Sequence, residues 1–213
     1  NMEHTSLKNA ILTGATMEMT ETRDADMDGV LTDEPLGPTE DDLPASFEDL
    51  VDQHAAWIAT GARNGRQLLV DGFDLRTVSA CRKANLTAMQ AKGAIFCGVD
   101  FSGAQIQAAN FAGADLRGCN FAGADLRGTD FTGAKLTHAD LTGATIRSLA
   151  LNAGGSMVTK FDATDMSHAK MHRTDARQTS FIGADFSFAD LRGADFREAK
   201  LDDVTVTRAK TTG

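Results

Sequence analysis

The chain has 213 residues, three cysteines and a formal net charge of −9, which fits one large domain or one domain with an appendage. No window approaches the roughly 18 consecutive apolar residues of a membrane-spanning helix, and the first residues lack the basic start and apolar run of a secretory signal. An odd number of cysteines without paired spacing argues against a disulfide framework and favours the reducing cytoplasm.

The acidity is concentrated in the N-terminal part of the chain. Residues 1–52 hold fourteen acidic residues against two basic ones, whereas residues 84–213 hold fourteen of each. We also expect no aromatic platform on the outer surface of 84–213. The sequence therefore gives little support for direct binding of nucleic acid.

A period of five residues is visible from the N-terminus onward. Leu7, Leu12, Met17 and Met27 share this period, and we expect residues 1–31 to form a segment of five-residue repeats. The acidic, proline-containing stretch 32–45 is expected to be a linker.

Residues 46–67 predict a helix followed by a turn. Ser46 with Asp49 three residues later is typical of a helix N-terminus, and Gly61 is typical of a helix end. One apolar stripe runs along this helix, which we expect to cap the end of the region that follows. The predicted capping residues on the stripe are Phe47, Leu50, Trp57 and Ile58.

The rest of the chain repeats one five-residue phrase. From Leu86 to Val206 the frame holds for 25 pentapeptides with an apolar centre in all but three, whereas Val70 and Leu75 stand one step out of frame. A period of five fits neither an α-helix nor a long strand. A chain that turns a corner every five residues, with each centre pointing inward, resolves the conflict and predicts a solenoid.

The phrase Ala-Asp-Leu-Arg-Gly at 114–118, 124–128 and 189–193 resembles the pentapeptide-repeat family, a family of bacterial type. The resemblance implies an all-β fold, a right-handed quadrilateral parallel β-helix with four pentapeptides in each coil. About six coils would cover 68–213, preceded by the short capping α-helix.

Four pentapeptides in a coil place residues twenty apart on one wall. One predicted column therefore holds Phe121, Leu141 and Phe161, and the opposite column holds Phe131 and Leu151. The predicted core residues are Phe101, Phe111, Phe121, Phe131, Phe161, Phe181, Leu116, Leu126, Leu136 and Leu191.

Two further expectations follow from the unbroken frame. It leaves no room for a long loop projecting from the coils. It also places the small centres Ser156 and Ala176 on one wall, where they would leave either a void in the core or an inward shift of the chain.

No group of residues suggests catalysis, a cofactor or a metal. His168 and His172 stand four apart but on different walls, and Cys81, Cys97 and Cys119 lack the spacing of zinc ligands. The glycine-rich stretch 153–157 lacks the lysine of a phosphate-binding loop. We therefore expect no enzyme, no cofactor and no metal site.

The outward charges are interpreted as solvated faces. The frame predicts Arg127 above Arg147 on one wall and Arg177 above Arg197 on another. Asp125, Asp165 and Asp185 are predicted to share a wall with neutral residues between them. No partner-binding residue can be assigned from this pattern.

The leading hypothesis is a cytoplasmic, non-catalytic binding or scaffold module that presents flat solenoid walls to a protein partner of unknown identity. The resemblance also implies an alternative, because some members of the family mimic DNA, bind gyrase and confer antibiotic resistance. Two features argue against this alternative. Residues 84–213 lack the surplus acid that a DNA mimic needs along the rod, and the unbroken frame leaves no room for a long projecting loop. We also expect a homodimer or higher assembly. Residues 7–31 would either extend the N-terminal stack or cover the C-terminal end of a neighbouring molecule.

Overall fold

The computed structural model describes Met2, residues 4–16 and residues 20–211. The chain divides into two compact units, Asn1–Pro38 and Thr39–Gly213. Met17, which belongs to the predicted N-terminal period, lies outside the described residues.

The first unit is a turn of chain that closes after twenty residues. Ser6 pairs with Asp26 and Ile11 with Leu31, both as parallel bridges. The N–H of Leu31 donates to the carbonyl of Ala10 at 3.0 Å. The five-residue period in this segment therefore produces the same spacing of paired backbone as in the second unit.

The second unit begins with a short 3₁₀ helix, Glu40–Asp42, and helix α1, Phe47–Ala59. The hydroxyl of Ser46 accepts a hydrogen bond from the N–H of Asp49 at 3.2 Å and so caps the first turn of α1. Gly61 ends the helix with a φ of +59°, a conformation that glycine adopts most easily.

Helix α1 packs one face on the core of the second unit. Phe47, Val51 and His54 are buried on this face, and the Phe47 ring meets the edge of Phe96 at a centroid distance of 6.5 Å. The N–H of Leu68 donates to Nδ1 of His54 at 3.0 Å and so joins the helix to the following chain. The remaining residues of the predicted stripe are half-buried: Leu50, Trp57 and Ile58.

The chain after α1 stacks in coils, each wall pairing with the wall of the next coil in parallel. Asn85 pairs with Gln105, and twenty-residue spacing continues to Asp125 and Thr145. The leading coil is one residue longer, because Leu69 pairs with Gln90. This extra residue accounts for the out-of-frame positions seen in the sequence.

In the coils, the chain turns its corner two residues after each centre. The backbone there usually has positive φ, as at Gly103 with +66° and Ala108 with +55°, but not at Ser148 before the hairpin. The N–H of the next residue closes the turn, as in the 3.1 Å bond from Ala104 to the carbonyl of Phe101. Glycine is favoured at these corners because it adopts positive φ at little steric cost.

Ten residues, 149–158, leave the coil and form a hairpin. Strand β1, Leu149–Ala150, pairs antiparallel with strand β2, Ser156–Met157. Across this excursion the spacing of paired walls becomes thirty residues, as for Asp130 with Lys160. The expectation that no loop projects is therefore wrong. An insertion of two whole repeats leaves the five-residue frame unchanged and is invisible in it.

The hairpin changes which side chains share a wall. Leu141 is followed by Met171, not by Phe161, and Leu151 lies exposed on the hairpin. Phe161 instead stacks on Phe131 with ring centroids 4.6 Å apart. The full column of stacked rings is Phe111, Phe131, Phe161 and Phe181.

The predicted void is also absent from its expected position. Ser156 is exposed on the hairpin, whereas Ala176 is buried in the column between Ile146 and Phe196. The two residues therefore do not share a wall. All ten residues predicted for the core, from Phe101 to Leu191, are buried.

Phe161→Ala is expected to lower the free energy of unfolding by about 3–5 kcal/mol, because it leaves a cavity between two stacked rings. Phe188→Ala removes the same side chain from an exposed position and is the matched control, with an expected loss below about 1 kcal/mol. Urea unfolding followed by circular dichroism measures both. Equal losses would contradict the stacked column.

The stability of the α1 contact is expected to depend on pH. Burial lowers the pKa of His54 below its ordinary value near 6.5. Protonation is thus disfavoured in the folded state, and it also removes the Nδ1 acceptor of the Leu68 bond. The contribution of His54 to the free energy of unfolding should stay constant above about pH 6.5 and fall as the pH drops below it.

Fluorescence of Trp57, the single tryptophan, reports on this step because its ring stacks 5.6 Å from that of His54. Urea midpoints followed by this signal should decrease between pH 7 and pH 5. His54→Gln keeps an acceptor that does not titrate, so its midpoints should vary less. An unchanged pH profile in the variant would assign the effect to other groups.

Candidate functional site

The repeated phrase builds a local ion pair on the outer wall. In each Asp-x-Arg sequence the Nε and Nη2 atoms of arginine donate to the two carboxylate oxygens of the aspartate. For Asp195 and Arg197 the shortest of these distances is 2.6 Å. These bonds lower the pKa of the Asp195 carboxyl to about 2. The same pairing occurs at Asp74–Arg76, Asp115–Arg117, Asp125–Arg127, Asp175–Arg177 and Asp190–Arg192.

The outward arginines form one column, not the two predicted. The thirty-residue spacing places Arg147 beside Arg177, so Arg127, Arg147, Arg177 and Arg197 follow one another along a single wall. Nε of Arg147 lies 3.4 Å from the carboxylate of Asp175 in the next coil. Each predicted pair of arginines is therefore half of the same charged column.

The predicted wall of Asp125, Asp165 and Asp185 is also wrong. Asp165 pairs with Asp185, but Asp125 belongs to the column that continues through Thr145 to Asp175. The physical reason is again the hairpin, which shifts every later residue by two walls.

A small cleft opens beside the arginine column. Its volume is about 110 Å³, and its lining residues are Arg147, Arg177, Gln178 and Glu198. The amide of Gln178 donates to the carboxylate of Glu198 at 2.8 Å and accepts from the hydroxyl of Ser148 at 2.8 Å.

The hairpin that follows Arg147 and Ser148 exposes several apolar side chains. Leu151, Met157 and Val158 have 43%, 40% and 37% of their surface exposed. No charged residue occurs between Arg147 and Lys160. The result is an uncharged apolar projection that begins two residues after Arg147.

The base of the hairpin packs closely on the preceding coil. A side-chain carbon added at Gly128 would lie 3.1 Å from Cβ of Leu149 and 3.1 Å from Sδ of Met157. The hydroxyl of Thr159 donates a hydrogen bond to the carbonyl of Arg147 at 3.0 Å where the chain rejoins the coil. Both ends of the hairpin are thus held by the wall.

A column of stacked rings lies on the outer surface, contrary to expectation. The His138 and His168 rings are 4.7 Å apart, and the His168 and Phe188 rings are 4.9 Å apart. The guanidinium of Arg208 lies 5.7 Å from the Phe188 ring centre. This column could not be predicted from a spacing of twenty residues, because His138 and His168 become neighbours only through the thirty-residue spacing that the hairpin creates.

The three cysteines lie in surroundings typical of structural residues. Cys81, Cys97 and Cys119 are free and buried, and burial raises the pKa of Cys81 and of Cys97 to about 12. Within Met2, 4–16 and 20–211, no group of three or more histidine, cysteine or acidic residues could hold a metal ion.

The last described coil exposes part of the core. An open concavity of about 260 Å³ is lined mainly by apolar side chains, with Leu201 and Val206 exposed at its rim. In the described part of the chain, no helix is long and apolar enough to cross a membrane.

Stacked walls of five residues that turn at left-handed corners define a repeat solenoid. The chain belongs to the pentapeptide repeat family. The family profile, Pentapeptide repeats, matches residues 80–118, 109–147 and 159–198 in eight copies. The unmatched interval after 147 coincides with the hairpin.

Solved structures similar to this chain are also pentapeptide repeat proteins. Rfr23 from the cyanobacterium Cyanothece 51142 is 14% identical, with 50% of this chain and 63% of that chain covered and a TM-score of 0.33. HetL from Nostoc sp. strain PCC 7120, involved in heterocyst differentiation regulation, is 21% identical, with 99% and 88% covered and a TM-score of 0.27.

QnrB1, a plasmid-mediated fluoroquinolone resistance protein, is 19% identical, with 67% of this chain and 72% of that chain covered and a TM-score of 0.39. This chain spans less than two thirds of the length of Rfr23. No curated protein matches the chain in sequence.

One signal in the sequence could have located the hairpin. Leu149 and Gly154 stand where the repeat favours alanine two residues before a centre, and the centre Ser156 is polar. Two consecutive repeats that break the pattern indicate residues that need not fill the core.

Proposed function

We propose that this chain is a non-catalytic binding module that holds a protein partner through its outer walls, with the hairpin 149–158 as the main contact. The observation that carries this proposal is the exposure of Leu151, Met157 and Val158 on an uncharged projection. Apolar side chains held at an exposed position commonly mark an interaction surface. The rigid coils beneath would hold this projection in one orientation.

We also propose the arrangement of the coils that would support this contact. The coils are right-handed and number about six over 68–213, and α1 within 46–67 caps the first of them. Residues 1–31 form a separate repeat segment, and 32–45 link it to the rest. The twenty-residue pairing and the contact between Phe47 and Phe96 support this arrangement. The free cysteines support a reducing, cytoplasmic location.

Deletion of 149–158 tests the function. Because ten residues are two whole repeats, joining Ser148 to Thr159 restores twenty-residue spacing, and the coils should still fold. The full chain, the deletion and the triple variant L151S/M157S/V158S serve as baits in crosslinked extracts of the source organism. Quantitative mass spectrometry should show at least one protein that is enriched on the full chain and lost from both variants.

Circular dichroism and the urea midpoint control for folding of both variants. Identical sets of captured proteins on all three baits would overturn the hairpin as the contact.

The gyrase alternative is kept as a second candidate because the projecting hairpin removes one objection to it. The charge pattern still argues against it. A DNA mimic needs a continuous negative surface, whereas Asp125, Asp175 and Asp195 each bind an arginine two residues later. Purified protein is expected to leave DNA supercoiling by gyrase unchanged at micromolar concentration. Inhibition that D165N/D185N abolishes would reverse this ranking.

Self-association is proposed through the last coil, where Leu201 and Val206 are exposed beside the open concavity. A second copy would cover both these side chains and the backbone edge of the coil. The mass of the full chain and of L201D/V206D, measured by light scattering, tests this assembly.

A further inference from the structure

Arg147 differs from six other arginines that stand one residue after a centre. Those six have an aspartate two residues earlier, whereas Arg147 has Thr145 and Arg82 has Ala80. A threonine hydroxyl cannot neutralise a guanidinium. Arg147 therefore lacks the ion pair within its own repeat that those six arginines form.

The neighbouring coil compensates this charge only in part. Nε of Arg147 lies 3.4 Å from Asp175, but the same carboxylate already accepts two hydrogen bonds from Arg177, at 2.7 and 2.8 Å. In the described part of the chain, the guanidinium of Arg147 makes no hydrogen bond of its own, and 37% of the side chain is exposed. One carboxylate thus serves two guanidinium groups.

Arg147 lies at the junction of the charged cleft and the apolar hairpin. It lines the 110 Å³ cleft, and its carbonyl accepts a hydrogen bond from the hydroxyl of Thr159 at the point where the hairpin rejoins the wall. The cleft also contains the carboxylate of Glu198, which is held at its far side by Gln178. An incoming anion would meet attraction from Arg147 and repulsion from Glu198.

We propose that Arg147 and the hairpin side chains Leu151, Met157 and Val158 form one docking surface for a protein segment that carries a carboxylate next to an apolar residue. The inference rests on the proposed binding function and specifies the chemistry of the partner. The carboxylate forms charge-assisted hydrogen bonds with the exposed nitrogens of Arg147. The apolar residue covers the hairpin and excludes water from this pair, which strengthens it.

Peptide selection tests this surface with random sequences, so the partner need not be identified first. A phage-displayed library of random peptides is panned on the immobilised full chain, after depletion on the bare support. Enriched sequences should carry aspartate or glutamate beside an apolar residue. Their synthetic peptides provide the probe, and fluorescence polarisation gives the dissociation constant.

Matched arginine variants separate the specific effect from a general change in charge. R147Q should raise the dissociation constant at least about tenfold and reduce its dependence on salt. R197Q removes the same charge from a guanidinium already bound to Asp195 and should change the constant less than about twofold. E198Q should tighten binding because it removes the opposing carboxylate.

Each other result has a definite meaning. Failure to enrich peptides beyond the depleted pool, enrichment of peptides without acidic residues, or equal weakening by R147Q and R197Q overturns the inference. If the hairpin deletion abolishes binding while R147Q leaves it unchanged, the proposed function stands and the acidic partner is rejected. If the deletion leaves binding unchanged, the proposed function fails as well.

A second copy of the chain is the alternative occupant of this docking surface. Light scattering that shows a dimer for the full chain and a monomer for R147Q would assign the surface to self-association and overturn the inference.

Discussion

The rest of the structure depends on a backbone corner with positive φ that recurs in nearly all pentapeptides of the coils. The corner turns the chain so that the next apolar centre also points inward, and it aligns each wall with the wall of the next coil. The N–H of Phe101 then donates to the carbonyl of Asn120 at 2.7 Å, and equivalent bonds repeat along the rod. Side chains need only supply a centre that fills the interior and a corner residue that tolerates positive φ, so a five-residue phrase suffices.

This regularity allows the chain to insert whole repeats without disturbing the coils. The hairpin adds ten residues, and the pairing resumes in frame at Lys160. Because ten residues are two walls, every later side chain exchanges one column for another. The exchange is accommodated in the core because the opposed columns both carry large apolar residues: Phe161 stacks on Phe131, while Met171 follows Leu141.

On the outer surface the same exchange has chemical consequences. Asp-x-Arg pairs neutralise most of the wall locally, so the walls present little net charge despite many charged residues. Thr145 interrupts that pattern immediately before the hairpin, leaving Arg147 to share Asp175 with Arg177. An under-neutralised cation and an apolar projection thus occur together, at the place where the family profile also fails to match.

The sequence alone determined the period, most of the buried centres and helix α1, because these depend on local patterns that any coil spacing preserves. Phe161 is buried as its frame position requires. Its neighbour in the stack could not be predicted, since a shift of ten residues is invisible to a period of five. The same limit hid the single arginine column and the His138–His168 stack. Only tertiary hydrogen bonds between coils decided which walls meet, because they select the spacing at which the backbone pairs, whether twenty residues or thirty.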